Sequence, residues 1–300
     1  MKQKITPNLW FAGNAQEAID FYISAFPDSQ ILNRSFYPNS VEEGLADFQL
    51  DLAGEVLTIE FELGQQPFVA INAGPDFKVN PSISFMVNFD PSVDPQAREH
   101  LDDLWLKLSD GGQVLMPLEA YPYSERYGWV KDRYDVTWQL ILTDPAGEPR
   151  PFILPSLLFT KHNTNHAEEA VNFYVSVFEN SKIGAMNYYP EDIGPAKTGA
   201  LMFGDFMLAN QWFAAMDSAA EQDFVFNEAI SLSVSCKDQD EIDYYWEKLS
   251  SKPEFEQCGW CKDQFGVSWQ IVPENMDELM QKPDAFAHMM AMKKLIIADF

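Results

Sequence analysis

The chain has 300 residues, of which 46% are hydrophobic and 14% aromatic, so it is not disordered and can build about two folded domains. Its 46 acidic residues outnumber its 20 basic residues, and the formal net charge is −26. This excess argues against nucleic acid or anionic membrane as a partner, because both require a basic surface. With no run of about 18 apolar residues, no signal-peptide pattern and only three cysteines, we expect a cytoplasmic protein without a membrane span.

Strand and helix signals alternate in a fixed order along the first half of the chain. A strand is predicted over residues 5–11, followed by a helix that Asn14 begins and Pro27 ends. The next predicted elements are strands at 30–37, 46–52, 55–62 and 83–89, a helix at 94–108, and strands at 114–118, 127–131 and 137–142. This order is βαβββ twice, which predicts an α+β fold with helices packed on one face of curved sheets.

The second half of the chain repeats the first. The segment EAIDFY at 17–22 matches EAVNFY at 169–174, 152 residues later, and GWVKD at 128–132 matches GWCKD at 259–263. A repeat of this length has the size of a domain. We therefore expect two homologous domains, 1–152 and 153–300, joined by the proline-rich segment 145–151. Each domain is expected to be a pair of βαβββ units forming a curved, cup-like sheet.

The repeated segments resemble the PhnB-like family of the vicinal-oxygen-chelate superfamily, which includes glyoxalases, bleomycin-resistance proteins and dioxygenases. The segments that carry the resemblance are 17–22, 227–236 and 259–273, together with a helical tail at 285–297. The resemblance covers the whole chain, twice, and implies two tandem glyoxalase domains. Some members carry a demethylubiquinone-methyltransferase name. No glycine-rich loop follows a predicted strand here, so the sequence does not support methyl transfer with a nucleotide-like cofactor.

Enzymes of this superfamily hold a divalent metal through side chains of the first, fourth, fifth and eighth strands, and the resemblance assigns residues to those positions. They are Pro7 or Asn8 and Phe159 or Thr160 in the first strand, Glu60 and Asn210 in the fourth, Ser82 or Ser84 and Ala229 or Ser231 in the fifth, and Gln139 and Gln270 in the eighth. Only Glu60 is a strong metal ligand. We therefore expect no metal or other cofactor, with a divalent metal as the alternative.

Two further residues are expected to border a cavity. Trp10 can line it with an aromatic ring, and His162 is taken as its counterpart in the second half. His162 is interpreted either as a polar edge or capping residue, or as an acid or base in the pocket. The spacing of Cys258 and Cys261 suggests redox chemistry, but residues three apart on a strand point to opposite faces, so we expect incidental thiols.

Three classes of function compete. The preferred one is a metal-free protein that binds a small aromatic or amphipathic molecule through Glu60, Ser84 and Gln139 in the first domain. The corresponding polar contacts in the second domain are Asn210, Ser231 and Gln270. A metal-dependent lyase, isomerase or dioxygenase is the second class, and a methyltransferase is the third. The two domains are expected to pack on each other through an apolar interface, with a homodimer as a further option. If only one half is active, Glu60 favours the first.

Overall fold

A computed structural model describes residues 3–300, the side chain at position 48 excepted, and contains four successive units built on the βαβββ pattern. Unit 1 contains β1 (Ile5–Ala12), α1 (Ala15–Ala25), β2 (Gln30–Phe36), β3 (Val56–Leu63) and β4 (Gln66–Ala73). Unit 2 contains β5 (Ile83–Phe89), α2 (Ala97–Ser109), β6 (Gln113–Tyr121), β7 (Ser124–Lys131) and β8 (Thr137–Leu142).

The second half follows the same order and is shorter by one strand. Unit 3 contains β9 (Ile153–Phe159), α3 (Ala167–Val177), β10 (Lys182–Tyr188), β11 (Leu201–Leu208) and β12 (Gln211–Asp217). Unit 4 contains β13 (Ile230–Cys236), α4 (Gln239–Leu249), β14 (Trp260–Lys262) and β15 (Ser268–Pro273), and two short helices follow, α5 (Met276–Leu279) and α6 (Ala285–Ala291). Where unit 2 has β6, unit 4 has only the 3₁₀ turn Pro253–Phe255.

The α+β class and the tandem glyoxalase-type units agree with the sequence, and three element predictions differ. The predicted strand at 46–52 is wrong, because residues Asp47–Leu52 form a 3₁₀ helix. The strand β4 was not predicted, so the strand holding Glu60 is the third of its unit and not the fourth. At the end of the chain the helix stops at Ala291, short of the expected residue 297.

Two sheets organise the molecule, and each combines one unit from each half of the chain. The seven-stranded sheet has the order β14-β15-β13-β1-β4-β3-β2, and the eight-stranded sheet has the order β10-β11-β12-β9-β5-β8-β7-β6. Units 1 and 4 therefore share one sheet, and units 2 and 3 share the other. The expectation that the two units of each half form one sheet is wrong in this respect. Units 2 and 4 are homologous, so the first strand of either unit is suited to pair with β1. The sequence does not indicate which of the two does so.

One hydrophobic core lies between the two sheets and the four long helices. The rings of Phe68 in β4 and Phe85 in β5 meet edge to face at 5.0 Å and link the sheets. Along β1, Ile5 and Leu9 point into this core while Asn8 points to the opposite side, as the two-residue period of a strand requires. We name the side of the seven-stranded sheet that faces away from the core face A, and the corresponding side of the eight-stranded sheet face B.

Within residues 3–300, every helix is too short or too polar to cross a membrane.

Candidate functional site

The centre of face A is a row of polar side chains from three neighbouring strands. Asn8 of β1 is paired in register with Ser231 of β13, and β15 lies beside β13. Gln270 of β15 donates its Nε2 to the Ser231 hydroxyl at 2.9 Å. Asn8 and Ser231 are buried, whereas Gln270 is half-buried. The Gln270 carbonyl oxygen accepts no hydrogen bond from the described part of the chain, so it is available to a ligand.

Aromatic rings lie beside this row. The Trp10 indole donates to the Gly74 carbonyl at 2.7 Å, which fixes its orientation. Phe77 contacts Trp10 edge to face at 4.9 Å, and Trp260 lies 6.3 Å from it. Trp260 is on β14 and is paired in register with Gln270, so two rings from strands separated by β13 and β15 meet over the same face. Face A therefore offers flat apolar surfaces next to a free hydrogen-bond acceptor.

Glu60 also lies on face A, at a distance from that centre. It is half-buried on β3 and paired in register with Val69 of β4. Four strand spacings separate it from Gln270, which is roughly 19 Å along the sheet. The fourth-strand position beside Asn8 is occupied by Val69. The carboxylate expected at the fourth strand is therefore replaced there by an apolar side chain.

The equivalent centre of face B is closed by its own hydrogen bonds. Gln139 accepts the Tyr127 hydroxyl at 2.8 Å through Oε1, and its Nε2 lies 2.6 Å from the Ser84 hydroxyl and 3.4 Å from that of Ser156. All four residues are buried, and burial raises the pKa of the Tyr127 phenol. Both ends of the Gln139 amide are satisfied by the protein. Face B therefore has no free polar group at the position where face A has one.

The sequence placed the first-strand position of the second half wrongly. Ser156 pairs with Ser84 as Asn8 pairs with Ser231, so Ser156, and not Thr160, is the counterpart of Asn8. Thr160 lies beyond the end of β9, where its hydroxyl donates to the Phe224 carbonyl. The helices α1 and α3 are 152 residues apart, as the repeat at 17–22 indicates. The stretch from the start of β9 to the start of α3 is four residues longer than that from β1 to α1, so the preceding strands are only 148 residues apart. An ungapped match of ITPNLWFA with ILPSLLFT reveals the correct register.

His162 and Asn210 lie outside both faces. His162 is exposed in the turn Lys161–Asn163, in the additional residues before α3, and is not the counterpart of Trp10. Asn210 is exposed in the hairpin between β11 and β12, where its φ of 65° suits a tight turn. Neither side chain reaches the centre of face A or face B.

The residue that corresponds to Glu60 in the second half is Asp205, which the sequence did not identify. Both are paired in register with the fourth strand of their unit, Glu60 with Val69 and Asp205 with Ala214. Asp205 is buried and forms an ion pair of 2.8 Å with Arg150, whose guanidinium also lies 3.8 Å from the Trp212 ring centre. This carboxylate therefore anchors the segment between the halves to face B.

The residues of the two faces do not fit a divalent metal. The four strand positions hold Asn8, Val69, Ser231 and Gln270 on face A, and Ser156, Ala214, Ser84 and Gln139 on face B. None is a carboxylate or an imidazole, the groups that hold such metals together with water. Among residues 3–300, no three His, Cys, Asp or Glu side chains are placed to share an ion.

Residues 3–300 also contain no glycine-rich loop between a strand and a helix that would bind a nucleotide-like methyl donor such as S-adenosylmethionine. Four connections lead from the first strand of a unit into its helix, and among the described residues only Gly13 contributes a glycine to any of them. Phosphate- and nucleotide-binding turns of the doubly wound type need several glycines for close backbone approach.

The sequence profile of the family named 3-demethylubiquinone-9 3-methyltransferase matches residues 3–141 and 151–272. The chain belongs to this family. A PhnB protein from Bacillus cereus with the same methyltransferase name is 35% identical; the match covers 47% of this chain and all of that one, with a TM-score of 0.39. No curated protein matches this PhnB-like chain.

Solved structures show how the PhnB-like units are arranged. Glyoxalase I from Zea mays is 10% identical, with 91% of this chain and 95% of that chain covered and a TM-score of 0.52. The V278E variant of the same enzyme is 12% identical over the same shares, with a TM-score of 0.53. The PhnB-like chain thus has the glyoxalase fold over nearly its whole length. At this identity the likeness establishes the fold alone.

Proposed function

We propose that face A binds a small molecule that has a flat aromatic part and a hydrogen-bond donor, without help from a metal. The observation that carries this proposal is the difference between two equivalent glutamines. Gln139 has both ends of its amide occupied and is buried, whereas Gln270 is half-buried and keeps its carbonyl oxygen available. Both glutamines donate to the equivalent serine hydroxyl, and only Gln139 also accepts a hydrogen bond, from the Tyr127 hydroxyl.

The chemistry of face A favours binding over turnover. The Gln270 amide accepts a hydrogen bond from an O–H or N–H of the ligand but cannot take its proton. Trp10 and Trp260 provide rings against which an aromatic ligand packs. The only carboxylate assigned to this face by the sequence, Glu60, is on β3, four strands from Gln270 in the order of the sheet, so the strands around Gln270 supply no carboxylate at the four positions that hold the metal in the superfamily.

Titration with N-phenyl-1-naphthylamine, a neutral aromatic amine whose fluorescence rises in an apolar site, tests this proposal. Gln270→Ala removes the acceptor, and we expect about three- to tenfold weaker binding, the worth of one hydrogen bond. Gln139→Ala is the matched control on face B and should leave the affinity unchanged, although it lowers the melting temperature. Binding that weakens with the Gln139 variant and not with the Gln270 variant contradicts the proposal.

The competing functions predict different results. Protein treated with a chelator should bind the amine as tightly as untreated protein. A requirement for zinc, nickel, iron or manganese would favour the metal-dependent lyase, isomerase or dioxygenase. Tight calorimetric binding of S-adenosylmethionine would favour the methyltransferase.

A further inference from the structure

We infer that residues 276–293 are a movable cover over face A and that a ligand enters only when this segment is displaced. This inference rests on the proposed function, because it concerns access to the same site. The segment follows β15 and lies outside the fourfold repeat of units. The next residues, 294–297, are bound to Gln239 and Asp243 of α4 on the other side of the sheet and keep the end of the chain in place.

One end of the cover is attached beside β14, an edge strand of the seven-stranded sheet. The backbone N–H groups of Cys258 and Gly259 donate to the carbonyls of Met292 and Lys293 at 2.9 and 2.7 Å. The Gln257 side chain donates to the Met290 carbonyl at 2.6 Å. These bonds join the cover to the residues that lead directly into β14, the strand of Trp260.

The middle of the cover reaches the other edge of the same sheet. Phe286 of α6 is buried and lies 6.4 Å, ring to ring, from Tyr37, the residue that follows β2. Ala287 contacts Gly44, in the loop after β2. A Cβ atom added to Gly44 would lie 3.3 Å from the Ala287 Cβ. Met290 contacts the residues before β14 and Ala287 contacts the loop after β2, so the short helix α6 bridges segments that adjoin the two outermost strands of the sheet.

Only one side of the sheet is open to such a crossing. The side toward the core is filled by α1 and α4, which pack on β3, β4, β13 and β15. Val272 of β15 is on the opposite side from the buried Trp269 and Ile271, and it packs with Leu279 and Met276 of the cover. The segment therefore passes over face A, above the half-buried floor that contains Gln270.

The attachment of α6 is suited to release. This helix has seven residues, fewer than a helix needs for stability on its own, so it depends on its contacts. Phe286 packs in a small cluster with Tyr37 and Leu45 that is separate from the main core. Met280, Met289 and Met290 pack against that cluster together with Leu52 and Leu57, and thioether side chains adapt to different neighbours at low cost. Loss of this cluster would release α6 from the loop after β2, while the backbone bonds of Cys258 and Gly259 still hold the end of the cover beside β14.

A reversible disulfide tests the cover directly. Gly44→Cys with Ala287→Cys, in a Cys258→Ala background that avoids thiol exchange, places two Cβ atoms near the separation of a natural disulfide. We expect the association rate of N-phenyl-1-naphthylamine to fall at least tenfold when this protein is oxidised and to recover when it is reduced. The oxidised and reduced forms are the same variant, so each is the control for the other. Any strain from placing a side chain at Gly44, whose φ is 98°, is present in both forms and cancels in the comparison.

A second variant works in the opposite direction. Phe286→Ala removes the ring that packs on Tyr37, and we expect faster association of the amine. Equal rates for the oxidised and reduced protein overturn the cover, while the proposed function stands if Gln270→Ala still weakens binding. Binding by the Phe286 variant alone supports the cover. If no variant binds the amine, the proposed function and the cover both fail.

Discussion

The hydroxyl of Tyr22 in α1 donates a 2.7 Å hydrogen bond to the carboxylate of Asp132, in the loop between β7 and β8. Tyr174 makes the same bond, also 2.7 Å, to Asp263 in the second half. In each case the indole of a tryptophan on the following strand donates to the same oxygen at 2.8 Å. In each half, the two repeated blocks are thus the two ends of a buried hydrogen-bond network that ties a helix to a hairpin.

Replacing Asp132 with Asn is expected to destabilise the protein by about 1–3 kcal/mol. Asp132 accepts the Tyr134 and Val136 N–H groups on Oδ1 and the Tyr22 and Trp138 donors on Oδ2. An asparagine would set an NH₂ group against two of these donors. Chemical denaturation measures the loss, and the exposed Asp103→Asn is the control. Equal stability of the two variants would show that the network contributes nothing.

The same carboxyl predicts a pH dependence. Burial raises the pKa of Asp132 from 3.8 to about 6, which outweighs the four donors that lower it. The folded protein therefore holds this proton more tightly than the unfolded chain does. The stabilisation is complete below about pH 4 and is lost as the pH rises through 6, on the order of 2–3 kcal/mol. The difference in unfolding free energy between the wild type and Asp132→Asn should change over this range; a flat difference contradicts it.

Much of the fold follows from local patterns, and the errors have physical causes. Tyr22 and Trp138 recur in the second half as Tyr174 and Trp269, which is why they stand out in the sequence as repeated residues. They recur because each donates a hydrogen bond to a buried carboxylate, which constrains the residue type at its position. Residues 46–52 alternate in polarity like a strand, but they bridge β2 and β3 as a 3₁₀ helix. The choice of unit 4 as the partner of unit 1 depends on long-range packing, and no local signal encodes it.

The candidate site was predicted in part. Strand alternation places Asn8 and Trp10 on one side of β1, and Ser231 and Gln270 on the same side of their strands. The sequence assigned the two pairs to different domains, and the pairing of β1 with β13 brings them together on face A. His162 was misplaced because an inserted loop changes the offset of the repeat between β9 and α3. The contrast between Gln139 and Gln270 lies in their hydrogen-bond partners, which differ between the faces although the glutamine recurs.

The closed network of face B predicts a selective loss of stability. Tyr127→Phe removes the donor to Gln139 Oε1 and leaves that buried oxygen without a partner, which we expect to cost about 1–3 kcal/mol. Affinity for the aromatic amine should not change, because face A is untouched. Tyr123→Phe, at an exposed tyrosine, is the control for denaturation. A loss of amine binding in the Tyr127 variant would place the site on face B.

Arg150 is expected to hold the segment between the halves against the eight-stranded sheet. Arg150→Met leaves Asp205 buried without its cation, and we expect a loss of about 3–5 kcal/mol. Lys182→Met is the matched control, since Lys182 is exposed and lies 5.0 Å from the same Trp212 ring. Thermal unfolding of both variants measures the effect. Similar melting temperatures of the two variants would show that the buried Arg150–Asp205 pair contributes no more to stability than the exposed Lys182 does.

The most direct measurement is a crystal structure of the full chain with N-phenyl-1-naphthylamine bound. We predict that its rings lie against Trp10 and Trp260, that its N–H donates to the Gln270 carbonyl oxygen, and that residues 276–293 have shifted from face A. An amine bound over Gln139, or a metal ion held near Glu60 on face A, would contradict the proposal.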